Sequence, residues 1–304
     1  MRRFWALARS AALEALAESL SGILFLVALL AVHLLPVFHM HQFGEPGRLS
    51  RECGFSALLM FGLTFATAAA VHSIGRELES GTAAAALARP VPRALFFCAK
   101  VSGVLMAFVL FMLAVAGAML LSVVTAQMGR MATAHGDALT LTWGPGLAAG
   151  VGGTLLAFAL AALGNWFLRT RFCVGACLLM TAAQPLALVS MLFLNRSPVP
   201  WSLLPALGVL AMGCSVFVVM AGALAVCLKP AAVSALMTVA VLLSFVRPLR
   251  AVMPDINRFW LVDAFTSGGT IPARELCAAA GAGALLVAFW LVVGSVLLAR
   301  REIP

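Results

Sequence analysis

The chain has 304 residues, 63% hydrophobic and 10% charged, with a net charge of +9 and a mean hydropathy of +1.08. A soluble domain is nearer a quarter charged, so this composition excludes one. The positive charge excludes itself as a nucleic-acid signal, because the arginines stand singly at the ends of apolar runs and form no basic block interleaved with aromatics.

The apolar runs are about 20 residues long, enough to cross a hydrocarbon core as helices. They are continuous and do not alternate with period two, which favours helices over a barrel. The expected fold is an all-α, polytopic transmembrane bundle forming a single domain over residues 1–304. No cleavable signal peptide is expected, since Glu14 and Glu18 interrupt the chain before its first apolar run.

Residues 2–19 alternate apolar Phe4, Trp5, Leu7, Ala8, Ala11, Ala12 and Leu16 with Arg2, Arg3, Arg9, Glu14 and Glu18. The pattern predicts an amphipathic helix in the membrane interface; a frayed tail is the plain alternative. The first span follows at about 20–38 and ends at Pro36 and His39-Met40-His41. After a polar loop the second span covers about 54–74, with small Ala66, Ala68, Ala69 and Ala70 that let helices approach closely.

The most highly charged stretch comes next: Arg76, Glu77 and Glu79, then Ser80-Gly81-Thr82, an Ala-rich segment, Arg89, Pro90, Pro92, Arg93 and Lys100. Held between two spans, residues 75–93 have to lie at the water interface. The third span is predicted at about 94–125. The fourth, at about 146–168, opens on Gly144, Gly146, Gly150, Gly152 and Gly153, which predicts tight packing or a kinked entry.

Arg169 and Arg171 make a short basic turn into the fifth span, about 172–194, with Gln184-Pro185 near its middle. A sixth span covers about 203–228. Lys229-Pro230 separates it from a seventh, about 231–246. An outer segment at 247–275 carries Arg247, Arg250, Asp255, Arg258, Asp263 and Arg274 before the last span, about 276–299. A weak internal repeat, an apolar run then a basic turn then another apolar run, relates 157–180 to 220–243.

This reading gives about eight spans, with six as the alternative if one hairpin does not cross. With the N-terminus inside, the cytoplasmic face receives Arg2, Arg3, Arg9, Arg76, Arg89, Arg93, Lys100, Arg169, Arg171, Lys229, Arg300 and Arg301. The outer face receives the smaller set, Arg48, Arg51, Arg130, Arg196, Arg247, Arg250, Arg258 and Arg274. The asymmetry places both termini in the cytoplasm.

Catalytic motifs are missing. Neither lysine, Lys100 or Lys229, sits in a glycine loop, so ATP cannot be bound in the P-loop manner. Glu52-Cys53 has no partners for an oriented triad. The chain is therefore not expected to be an enzyme or to hold a cofactor. The seven cysteines are dispersed and behave as small packing residues. His39, Met40 and His41 are the best metal candidates, since His and Met suit copper, but neighbours one residue apart share a metal only in a loop. An ordinary interfacial loop is the alternative. Charges inside the spans are nearly absent, with His72 and Gln184 the nearest to them, which argues against an ion-coupled carrier.

The charged stretch resembles the membrane subunit of type-2 family ABC transporters. These permeases carry Glu-x-Glu-x-Gly-Thr after the second span, then a short helix, then Pro-Val-x-Arg and a Lys; the matching residues are Glu77, Glu79, Gly81, Thr82, Pro90, Val91, Arg93 and Lys100. Ala83 stands where the family often has Leu, and the middle of the chain holds an extra hairpin over the usual six-span plan.

The resemblance implies a cytoplasmic coupling helix that sits in a groove of a separate ATPase subunit, with Arg76 and Arg89 in the same loop. It implies an interfacial connecting helix over 2–19. It implies a permease, as a homodimer or a heterodimer with a related chain, exporting a substrate across a bacterial inner membrane on ATP hydrolysed elsewhere. The same family holds a membrane subunit that serves copper-site maturation of nitrous oxide reductase. A mechanotransmission role for a periplasmic partner, without transport, is thus the second expectation. Glu77 and Glu79 are expected near the N-terminus of the short helix, where its dipole favours acids.

Overall fold

A computed structural model describes residues 1–38, 47–81, 92–134, 144–195, 200–244, 256–261 and 271–301. These are helical with short connections, and no strand occurs among them. Helix α1 is Arg2–Ala17, α2 Ser19–Phe38, α3 Arg48–Glu79, α4 Arg93–Ala134 and α5 Pro145–Leu168. They are followed by α6 Phe172–Asn195, α7 Trp201–Ala225, α8 Pro230–Ser244, the single turn α9 Ile256–Phe259, and α10 Ala273–Arg300.

Six helices (α3, α4, α5, α6, α7 and α10) are long and apolar enough to cross a membrane, and a seventh span results if α1 and α2 count as one broken span. The chain is a multi-pass helical membrane protein. The predicted seventh span is the exception. Its described helix has 15 residues, about 22 Å at 1.5 Å per residue, short of a ~30 Å core.

The helices fall into two compact units: Met1–Glu18, Leu63–Val109 and Pro205–Pro304 in the first, Ser19–Gly62 and Leu110–Leu204 in the second. In the second, small residues let helices meet at short range. A side chain at Gly54 would collide with Met119, one at Gly146 with Thr125, and one at Gly150 with the His33 ring. Phe25 and Phe111 meet edge to face with centroids 5.1 Å apart. The glycine-rich entry to α5 gives both predicted outcomes at once: tight packing at Gly146 and Gly150, and a π-helical turn over Ala148–Gly152. Between α5 and α6 the chain turns at Arg169, whose φ of 52° is left-handed.

In the first unit, α4 is the central strut. Gly103 admits the Ala8 carbonyl and the Ala11 methyl of α1, and Gly222 of α7 packs against Ile74 and Val101. Phe97 lies over Gly294 of α10. The Phe259 ring sits against Gly213 of α7 and Gly283 of α10, in a cluster with Val209 and Ala279. The predicted outer segment thus contributes one apolar plug, with Asn257 and Arg258 exposed beside it.

Along α10, Leu285, Phe289, Val292 and Val296 are exposed. They recur at helical spacing. In water such a stripe would be an aggregation patch, whereas in a bilayer it is a lipid-facing surface.

Candidate functional site

The charged stretch begins inside a helix. After Ala70, α3 passes through a π-helical turn at Val71–Gly75 and continues through Arg76–Glu79. Ser80 is still right-handed; Gly81 turns left-handed at φ 73° and stops the helix. Among the described residues no atom within 4 Å would obstruct a side chain at Gly81, where φ +73° is what calls for glycine.

The short helix expected after Glu77 and Glu79 lies outside the described residues, and what the structure gives is their place in the helix before it. Glu77 and Glu79 occupy the last turn of α3, at the negative pole of its dipole, where a carboxylate is disfavoured by roughly 0.3–1 kcal/mol. Something must offset that cost, and for Glu77 it is Lys100.

The Lys100 side chain is 3% exposed, within the apolar run that opens α4. Its ammonium donates to Glu77 Oε1 at 2.5 Å and to Glu14 Oε2 at 2.9 Å. A buried ammonium without an anion would be strongly destabilising, so two carboxylates around one cation are what burial demands. The cluster leaves one net negative charge, and Glu14 and Glu77 are correspondingly the wetter members, at 39% and 25% exposure.

A second link runs beside it. Arg76 donates to Nδ1 of His72 at 3.2 Å. A guanidinium can only donate, so Nδ1 is the acceptor and the ring proton sits on Nε2. Nε2 then donates to the Glu18 carboxylate at 3.0 Å. Both links bind α1 to the end of α3, and Lys100 adds the start of α4.

The face of α1 that packs inward is its alanine face: Ala8, Ala11 and Ala15 are fully buried, while Trp5 is 59% exposed. Small residues bring α1 near enough to α4 for Glu14 to reach Lys100.

Of the predicted site residues, Glu77 and Lys100 meet directly, and Arg76 joins through His72. Glu79 is exposed. Arg93, at the start of α4, instead reaches carbonyls at the end of α10. Thr82, Arg89 and Pro90, with the short helix expected around them, lie outside the described residues, as do His39, Met40 and His41. Among the described residues no group of three His, Cys, Asp or Glu is arranged to hold a metal.

Sequence reasoning missed Glu14, Glu18 and His72 as members of this site. The available signal was Lys100 itself: a lysine inside an apolar helix requires a carboxylate, and few acids share its side in the predicted topology.

A separate polar chain lies in the second unit. His33 donates from Nε2 to Gln184 Oε1 at 3.0 Å, Gln184 Nε2 donates to Thr154 Oγ1 at 3.0 Å, and Thr154 donates to the Gly150 carbonyl at 2.7 Å. The Gly150 carbonyl also accepts the Gly153 N–H, so Thr154 adds a second, i to i−4 bond to a carbonyl that is already paired. Every member has a partner, so the chain fixes α2, α5 and α6 together.

Comparison with protein-family models, with curated proteins and with solved structures finds no match in any of the three.

Proposed function

We propose that the chain is the permease subunit of an ABC transporter of the type-2 family, driven by a separate ATPase subunit. The observation that carries this reading is the Glu14–Lys100–Glu77 cluster. It fastens the interfacial helix α1, the end of α3 and the start of α4 beside the charged stretch that continues into residues 82–91. A push on that loop would displace all three helices together, because separating them exposes a buried charge. Glu79 is the solvent-facing acid at the loop's entry and the natural contact for a partner.

In this reading the loop face, with Arg2 and Arg300, is on the cytoplasmic side of a bacterial inner membrane. The bundle has eight spans, or six if the hairpin of α7 and the short α8 does not cross. Two permease chains, identical or related, form the path, and a substrate leaves the cell. Neither nucleotide nor cofactor binds this chain.

The test is a charge reversal that spares the internal cluster. Glu79→Lys, reconstituted in vesicles with the ATPase that co-purifies with the wild type, should lose most of the permease-dependent stimulation of ATP hydrolysis while its melting temperature holds. Unchanged stimulation would count against a partner contact at this loop.

A further inference from the structure

The resemblance reads Arg93 as part of an ATPase-facing motif, yet its contacts are internal. One terminal nitrogen of its guanidinium donates to the carbonyls of Ala299 at 3.0 Å and Arg301 at 2.9 Å. Those are among the carbonyls that a helix end leaves without intrahelical partners, and they mark its negative pole. Arg301 in turn donates its side chain to the carbonyl of Val226, in the turn between α7 and α8, and its own N–H to Leu297 at 3.1 Å.

Below the clamp the two helices stay in register. Phe97 covers Gly294 so closely that a methyl group there would collide with the ring, and Cys98 Sγ lies 3.8 Å from Ser295 Oγ. Polar fixing at the end and close packing one turn further in would make α4 and α10 move as one body.

We infer that Arg93 is a positioning residue that clamps the end of α10 to the start of α4, and through Arg301 to the α7–α8 turn, so that any displacement of the loop before α4 is handed to α10. The inference rests on the proposed function for the source of that displacement. The clamp itself does not.

Two measurements on the full chain test it. In detergent, Arg93→Ala should raise hydrogen exchange of the amides at 298–301 by about tenfold, because a charge-assisted cap is lost. Exchange at 227–229 should rise as well, and Glu79→Lys should change neither. Unchanged exchange at 298–301 overturns the clamp, whether or not any ATPase binds.

In vesicles with the co-purifying ATPase, Arg93→Ala should keep the partner bound but lose stimulation of ATP hydrolysis. Adding Ser295→Cys and oxidising it onto the native Cys98 should restore most of that stimulation, since a disulfide replaces the clamp. Loss of ATPase binding in Arg93→Ala, or failure of a confirmed disulfide to restore coupling, would mean that Arg93 acts on the partner and not on α10. A wild-type chain that binds no ATPase would remove the proposed function and the transmission role together, while the exchange result would still decide the clamp.

Discussion

Lys100 is only 2% exposed among the apolar residues of α4, and its neighbours follow from that burial. Removing one partner of a buried charge pair costs about 3–5 kcal/mol when a charge is left uncompensated, and less when water reaches the remaining group. Glu77→Gln should therefore lower the apparent melting temperature of the purified protein clearly. Glu79→Gln, on an exposed site, should shift stability by less than about 0.5 kcal/mol. Equal effects would mean that the Lys100 pairing contributes nothing. Lys100→Met should be tolerated better than Lys100→Ala, because the longer apolar side chain fills the site while both acids can turn to water.

Backbone conformation gives a second pair of residue predictions. Gly81→Ala forces a Cβ into the left-handed region and should cost about 1 kcal/mol, read as a lower melting temperature. Arg169→Gly should gain a similar amount by relieving the same conformation, since Arg169 is the one non-glycine residue with positive φ among those described.

At the scale of elements, glycine contacts separate positions that the sequence presents as alike. The run Gly150, Gly152 and Gly153 reads simply as glycine-rich. In the folded chain a Cβ at Gly150 would lie 2.5 Å from the His33 ring, while at Gly152 and Gly153 it would meet nothing within 4 Å among the described residues. Gly150→Ala should lower the melting temperature and break the His33–Gln184 pairing, whereas Gly152→Ala should be neutral or mildly stabilising. Comparable losses at both positions would contradict the close approach of α2 to α5.

The helices themselves were legible in the sequence because hydropathy and length determine them. Their boundaries in α2, α6 and α10 lie within a few residues of expectation. The partners were not legible. Glu14 and Lys100 are 86 positions apart, and His33 and Gln184 are 151 apart. No local period links such pairs. That Glu77 and Glu79 also close the helix before Gly81 was not legible, because the polar stretch reads as a loop while the chain stays helical through Glu79. The segment after Lys229 is equally apolar in sequence, yet its described helix is too short to span alone.

For the whole molecule, the proposed function has energy entering from outside the chain, at the end where α1, α3 and α4 are tied. No nucleotide motif is present in the sequence, and the intramembrane polar groups His33, Gln184 and Thr154 are used up in bonds to one another. Reporter fusions in the turns at Arg169 and Lys229 should both report the cytoplasmic side; an outside signal at Lys229 alone would mean that the α7–α8 hairpin does not cross, as in the six-span alternative.

The most direct test is co-purification. The tagged full chain, extracted gently from its native membranes, should carry a P-loop ATPase subunit in near-stoichiometric amount, and Glu79→Lys should reduce that yield by about tenfold, the change expected from roughly 1.4 kcal/mol at a contact. Absence of any P-loop ATPase from the wild-type preparation, with the chain intact and folded, would contradict the account.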